Sequence, residues 1–263
     1  MPAHALITGA SSGIGWEFSR QLAAARISPV LASRSKEKLD TLKSVIENDY
    51  RIEAEVIAID LSLPGSADAL FEECEKRALD IEILINNAGV GMFGASTGQE
   101  SDKIERMLAL NILSLTTLSG RFGAKMMTKG KGRILNVGSF AGNQATPYFA
   151  SYAASKRYVH DFSTALRYEL KRHGVTVTCL VPGFVSTAFD TNAGIANSRY
   201  LSFSKRSSLP PSQVARIGLN AMFKGKARVT AGIPNKLLGI AAALIPPRVK
   251  AAAILAGVEW IIR

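Results

Sequence analysis

The sequence predicts an α/β fold: a single domain over residues 1–263, built on a doubly wound, mostly parallel, seven-stranded sheet with helices on both faces. Three observations predict it. Short apolar runs of strand length alternate with segments of helical period. The segments between strands are long enough for right-handed crossovers, which bring the carboxyl ends of the strands to one edge. No stretch rich in Pro, Gly or Ser divides the chain.

The first strand runs from Ala3 to Thr8 and stops at Gly9-Ala10-Ser11-Ser12-Gly13-Ile14-Gly15, after which Phe18, Leu22 and Ala25 recur at helical spacing. Glycines allow a tight turn and a close approach of backbone to a pyrophosphate, and free amides at a helix start attract its charge. The spacing is not the usual dinucleotide pattern. The position between a strand and a helix is what favours a phosphate cradle over a plain turn. The second strand, Ile27–Ala32, ends in Ser33-Arg34, where a NAD site would carry an acid; the nearest acid, Glu37, lies beyond the strand. An arginine fork holds a phosphate that an acid would repel, so NADPH/NADP+ is the expected cofactor. The competing reading is that Arg34 caps a loop and selects nothing.

Lys36–Asn48 reads as a helix and Glu53–Ile59 as the third strand, ending at Asp60-Leu61. Asp60 can accept from an adenine amino group, cap the helix that begins near Pro64, or do both. Ala67–Ala78 is that helix, and Glu82–Ile85 is the fourth strand, followed by Asn86-Asn87-Ala88-Gly89. Small residues there let backbone lie against ribose and adenine, and the Asn side chains can tie neighbouring strand ends together. Ser101–Met127 reads as one long helical region with Asn111 polar in a largely apolar stretch. A buried amide needs a partner. Asn111 is either part of a proton path to Lys156 or a satisfied core amide bonded to a neighbouring loop.

Gly132–Val137 is the fifth strand and ends at Gly138-Ser139, which sets a hydroxyl where ligands of parallel sheets bind. The sixth, Val175–Val181, ends at Pro182-Gly183. Between them Tyr148–Glu169 reads as one helix, and Tyr152 and Lys156, four apart, share a face of it. An ammonium beside a phenol favours the phenolate and is expected to lower the phenol pKa, making Tyr152 a usable proton donor and acceptor. The plain alternative is a surface Tyr and Lys one turn apart.

Composition narrows the options. Hydrophobic residues are 47% and charged residues 20%, ordinary for a soluble enzyme. Cys74 and Cys179 form no spacing motif, and His4, His160 and His173 are scattered, so no disulfide scaffold and no metal site are expected. The net charge of +11 suits anionic cofactors and substrates, and without a basic block interleaved with aromatics no nucleic-acid function is expected. The start of the chain lacks a signal-peptide pattern, which predicts a cytoplasmic protein.

The motifs Thr8–Gly15, Asp60, Asn86–Gly89, Asn111, Ser139, Tyr152-x-x-x-Lys156 and Pro182-Gly183 through Thr187 together resemble the short-chain dehydrogenase/reductase family, over residues 3 to about 232. The resemblance implies a Rossmann fold and hydride transfer between a nicotinamide cofactor and a carbonyl or alcohol. It implies Tyr152 as catalytic acid-base, with Lys156 binding the nicotinamide ribose and lowering the tyrosine pKa. Ser139 would hold the substrate carbonyl and Asn111 a water-linked relay. Cofactor contacts would come from Gly9, Ser11, Ser12, Gly13, Ile14, Gly15, Ser33, Arg34, Asp60, Leu61, Asn87, Ala88, Gly89, Asn111, Tyr152, Lys156, Pro182, Gly183, Val185 and Thr187. Gly138 stands where many relatives carry a second serine. The stretch Pro182–Phe189 is most similar to steroid and long-chain 3-ketoacyl reductases, which implies an apolar ketone, a steroid-like compound or a 3-oxoacyl thioester as substrate, and a homodimer or homotetramer.

Residues 190–209 are poorly patterned and carry Tyr200, Leu201 and Phe203; they are expected to be a substrate lid or a mobile loop. Pro211–Phe223 reads as a helix and Ala227–Ala231 as the seventh strand. The extension 235–263 holds two apolar runs, Leu237–Ile245 and Ala251–Ile262, bounded by Lys236, Arg248, Lys250 and Arg263. Both are too short to span a bilayer. They are expected to pack on a partner subunit or the chain's own pocket, to make peripheral membrane contact, or to form a mobile tail. Two other functions compete with a carbonyl reductase: a non-catalytic nucleotide-binding sensor or scaffold, which needs no tuned phenol, and a nucleotide-sugar epimerase or dehydratase, which needs more chain after the sheet.

Overall fold

The computed structural model describes residues 4–262, so the expected strand start at Ala3 and the basic end at Arg263 lie outside the described residues. Seven strands form one sheet in the order β3-β2-β1-β4-β5-β6-β7. They are β1 (His4–Thr8), β2 (Ser28–Ser33), β3 (Glu55–Ala58), β4 (Ile81–Asn86), β5 (Gly132–Val137), β6 (Val175–Val181) and β7 (Arg228–Thr230). Every pairing is parallel, with Ile7 opposite Leu31 on one side and Ile85 on the other.

Because both faces are covered, the strands read as nearly unbroken apolar runs rather than as alternation. On one face α1 (Gly13–Ala24), α2 (Lys36–Tyr50) and a later helix, Pro211–Phe223, bury Phe18, Leu22, Leu39 and Leu219 against Ile7 and Leu31. On the other, α3 (Ser66–Lys76), α5 (Leu115–Lys129) and α6 (Ala150–Lys171) bury Leu70, Phe122 and Leu166 against Leu6, Val30 and Leu84. Truncating a buried Phe to Ala costs about 3–5 kcal/mol. Against a net stability of about 5–15 kcal/mol, either layer can be undone by very few changes. The second layer also holds a polar chain. Asn86 Nδ2 donates to Asn136 Oδ1 and Ser119 Oγ, both at 2.9 Å, and Asn136 Nδ2 donates to Ser163 Oγ at 3.0 Å. The expected tie between strand ends is therefore present, extended into α5 and α6.

Two segments differ from the sequence reading. The single helical region 101–127 is α4 (Ser101–Leu108) joined to α5 by a π-helical turn, Ala109–Ser114. A π turn admits one extra residue without breaking the chain's helical course, which periodicity does not register. The segment expected as an irregular lid is two short helices, α7 (Phe189–Asn192) and α8 (Ser198–Ser207). Asn197 starts α8 by accepting from the Tyr200 amide at 3.0 Å. Only Tyr200 and Ser204 of α8 are buried, too few to leave an apolar stripe in the sequence. After α9 (Pro211–Phe223) and β7, the extension forms α10 (Ile233–Ala243) and α11 (Pro247–Ile262), parted at Pro246-Pro247.

Candidate active site

The strand order reverses between β1 and β4, and the crevice outside their carboxyl ends is where parallel sheets bind ligands. Thr8 and Asn87 build its floor. The Thr8 hydroxyl accepts from the amides of Asn87 and Ala88, both at 3.0 Å, while Asn87 Nδ2 donates to the carbonyls of Thr8 at 2.9 Å and Gly9 at 3.2 Å. The chain then turns through Gly9 at φ +67° into α1. A Cβ on Gly15 would lie 2.2 Å from the Gly9 carbonyl oxygen, so only glycine lets the helix start sit against the turn. A cavity of about 280 Å³ opens beside it between Ser12, Gly13, Thr187 and Pro211.

At the tip of β2, Ser33 Oγ is buried without a hydrogen-bond partner among the described residues. Asp60 accepts from the Ser62 amide at 3.0 Å and the Ser62 hydroxyl at 2.7 Å. Burial works to raise its pKa, but the two Ser62 bonds together with Arg34 and Arg106 outweigh that and hold the carboxyl below its usual range. Asp60 thus caps a turn before α3, and Arg34 lies within its electrostatic reach. Leu61 is buried in the core on the α3 face, which leaves its backbone to meet a cofactor, while Ile14 and Val185 are half-buried against the opposite core.

The π turn delivers Asn111 into the interior, where it is 0% exposed. Its Oδ1 accepts from the Val90 amide at 3.0 Å, and its Nδ2 donates to the Val90 carbonyl at 3.0 Å and to Ser155 Oγ at 3.1 Å. This is the satisfied amide of the second sequence reading, pinning the loop after β4 to α6. Both Asn111 Oδ1 and Lys156 Nζ come within 3.1 Å of the place a Gly89 Cβ would take, so the two side chains converge there. Lys156 Nζ donates to the Val137 carbonyl at 3.0 Å and lies 6.0 Å from the Tyr152 ring centre.

Tyr152 and Lys156 share one face of α6, and both are nearly inaccessible, at 7% and 5% exposure. That excludes the reading of a surface pair. The expected lowering of the phenol pKa is not found in the protein alone. Burial pushes Tyr152 up to about 12, only partly offset by a hydrogen bond with the Ser139 hydroxyl, and the Asp190 carboxylate adds to the rise. Burial likewise lowers Lys156 to about 8. Desolvation of two adjacent side chains disfavours the charged form of each. At neutral pH the phenol therefore keeps its proton while the ammonium remains largely charged.

Several residues of the site escape sequence reasoning. His160, one turn beyond Lys156, lies under the loop that follows β5: the Ser139 amide donates to its Nε2 at 3.4 Å, and Arg228 of β7 approaches its Nδ1 at 3.3 Å. A Cβ on Gly138 would lie 2.6 Å from His160 Nε2, so the glycine at the position of the second serine makes room for this ring. Burial lowers the His160 pKa to about 3, with Arg228, Lys156 and Arg157 adding to the fall. The spacing Tyr152, Lys156, His160 was its signal. Asn235 of α10 sits against Gly183, where a Cβ would be 2.4 Å from its Nδ2. Above Tyr152, Phe149, Phe189 and Tyr200 gather with Met107 and Ile195 into an apolar cluster, the Phe189 ring 5.4 Å from that of Tyr152.

Comparisons with known proteins agree with this layout. The family model described as short chain dehydrogenase matches residues 3–198. The chain is 36% identical over 190 residues to a very-long-chain 3-oxoacyl-CoA reductase of Pyrenophora tritici-repentis (strain Pt-1C-BFP), covering 70% of this chain and 55% of the relative. It is 32% identical over 225 residues to hydroxysteroid dehydrogenase-like protein 1 of Gallus gallus, covering 84% and 67%. The chain thus spans little more than half the length of the first of these relatives. Among solved structures, the short-chain dehydrogenase from Sphingobium yanoikuyae in complex with NADPH matches with a TM-score of 0.81 at 27% identity, over 100% of this chain and 97% of that one.

Proposed function

The chain belongs to the short-chain dehydrogenase family, and from that premise we propose that it is an NADP(H)-dependent reductase of an apolar ketone or aldehyde, with Tyr152 as the proton donor. The observation that carries the reading is the buried phenol of Tyr152, hydrogen-bonded to Ser139 and one helical turn from Lys156, beneath an apolar cluster at the strand ends.

The residues present fit a dinucleotide carrying a 2′-phosphate. The backbone of Gly9, Ser11, Ser12, Gly13, Ile14 and Gly15 would hold the pyrophosphate, in a space that a Cβ at Gly15 would close. Ser33, whose buried hydroxyl is orphaned among the described residues, and Arg34 would hold the 2′-phosphate. Asp60 and the Leu61 backbone would meet the adenine, Asn87, Ala88 and Gly89 would line the bed, and Lys156 would hold the nicotinamide ribose. Pro182, Gly183, Val185 and Thr187 would flank the nicotinamide. Bound NADPH supplies the two electrons and the hydrogen that reduce the carbonyl carbon.

The chain supplies position and a proton. Ser139 and Tyr152 hydroxyls donate to the carbonyl oxygen, and those bonds strengthen as negative charge develops there. Tyr152 keeps its proton until that charge appears, which a phenol raised by burial does. Its proton then passes to the oxygen, and the Lys156 ammonium stabilises the phenolate left behind. Asn111, whose side-chain donors are taken by Val90 and Ser155, would hold the water that reprotonates this pair only through an acceptor that those bonds leave over. The cluster of Phe149, Phe189 and Tyr200 excludes water and suits an apolar substrate, with α7 and α8 as its lid. The relatives named as 3-oxoacyl-CoA and hydroxysteroid enzymes support that substrate class. A homodimer or homotetramer through helices of the main fold belongs to the same reading.

The test is single-turnover NADPH oxidation against a panel of apolar ketones and 3-oxoacyl thioesters. Tyr152→Phe keeps the ring and removes the proton donor, so turnover should fall by about 10²–10⁴-fold with NADPH affinity intact. A variant that reduces the carbonyl at close to the wild-type rate would show that another residue is the acid.

A further inference from the structure

The exterior of α10 and α11 is not that of a helix pair facing water. From Ile233 to Trp260 no side chain is fully buried among the described residues, although the stretch is mostly apolar. Leu244 is 86% exposed and Trp260 79%, and Leu237, Leu238 and Val249 are exposed with them. The exposed charged residues of this stretch are Lys236 and Arg248, both cations, and its one acid, Glu259, is half-buried. The exposed side of α11 continues onto α8, where a groove of about 640 Å³ is lined by Phe203, Trp260 and Ile261 together with Arg199 and Arg206. Apolar patches of this extent mark interaction sites.

Charge identifies the partner. A second copy laid on this face would bring Lys236, Arg248, Arg199 and Arg206 against cations, with no exposed carboxylate side chain among the described residues of α8, α10 and α11 to meet them. Anionic headgroups complement that set, and acyl chains accept the leucines and the tryptophan between them. No helix among the described residues is long and apolar enough to cross a membrane; α10 has 11 residues and α11 has 16. Two short apolar helices with cations near their ends, rather than along one polar face, offer apolar area to the interface and positive charge to anionic headgroups. Ile261 of α11 packs on the cluster that contains Tyr152, so the face adjoins the apolar approach to the catalytic residues.

We propose that α10, α11 and the exposed side of α8 dock on an anionic lipid bilayer, with the Leu244–Val249 turn and Trp260 entering the headgroup layer. The inference stands on exposure and charge and is independent of the reaction assigned above.

The test uses the full chain with vesicles of phosphatidylcholine alone and with about one third phosphatidylserine, read by co-sedimentation and by Trp260 emission in a Trp16→Phe background. The expected result is binding to the anionic vesicles, a blue shift, and weakening by salt. Leu244→Asp with Trp260→Ser should reduce partitioning at least about tenfold. Lys236→Glu with Arg248→Glu, at exposed positions that leave the fold intact, should do the same. Failure to bind anionic vesicles at low salt, equal binding to both vesicle types, or binding indifferent to these substitutions would overturn the proposal. Light scattering on the same proteins adds one more outcome: an oligomer lost in the variants, without vesicle binding in the wild type, would assign the face to a second copy and overturn it as well.

Discussion

Gly138→Ala should disturb the active site through a residue that touches no substrate. The new Cβ would fall 2.6 Å from His160 Nε2 and 2.7 Å from its Cδ2, where ordinary contacts begin at 3.4 Å. The imidazole has little room to retreat. The place of a Gly142 Cβ is 2.8 Å from its Cε1, and Arg228 stands 3.3 Å from Nδ1. Overpacking of this kind costs about 1–3 kcal/mol. Part of that should appear in turnover, because the ring also accepts from the Ser139 amide. His160→Ala removes the obstacle, so the double variant should lose less than the two single variants combined, by about 1–3 kcal/mol of coupling. Urea unfolding of the four proteins, with slopes compared to confirm a common unfolded state, measures it. Costs that add to within about 0.5 kcal/mol would refute the argument that His160 occupies the space this glycine leaves.

Two further outcomes follow from the electrostatics. Arg34→Ala should weaken NADPH binding about tenfold or more, the loss of one charge-assisted bond worth about 1.5–3 kcal/mol, and leave NADH nearly unchanged; equal losses in fluorescence titrations of the two nucleotides would remove Arg34 from the 2′-phosphate site. His160 titrates near 3 in the folded protein and near 6.5 unfolded, so between those values only the unfolded chain holds the proton and stability falls as the pH drops. His160→Asn should flatten that part of the urea-midpoint profile, and an unchanged slope would show that carboxylates alone set it.

The sheet was legible because each strand is a short apolar run closed by Gly, Pro or polar residues, and strands covered on both faces need no alternation. The glycine turn and the shared face of Tyr152 and Lys156 were legible because each depends on spacing along a single turn or helix. His160, Arg228 and Asn235 were not, since each acts through contacts between elements distant in sequence. The phenol pKa was misjudged for a related reason: the helix shows which charge is near, but burial on all sides decides the sign. The α7–α8 segment was hidden because its helices lean on caps and a few contacts, such as the bond from Ser204 to Asp190, rather than on a buried stripe.

The placement of β1 inside the sheet, between β2 and β4, bears on how the protein is made. Its partner on one side, β2, follows at once, but the bond that Thr8 makes to Ile85 spans 77 residues. At a synthesis rate of about 5–20 residues per second, β1 leaves the ribosome about 4–15 s before β4 can cover its open edge. During that interval a nascent sheet of β3, β2 and β1 would present an apolar strand with unpaired backbone groups, a template for pairing with another chain. Newly made protein is therefore most exposed to aggregation, and most dependent on chaperones, before β4 arrives. Substitutions that delay β4 should lower yield in cells even where they leave the finished enzyme unchanged.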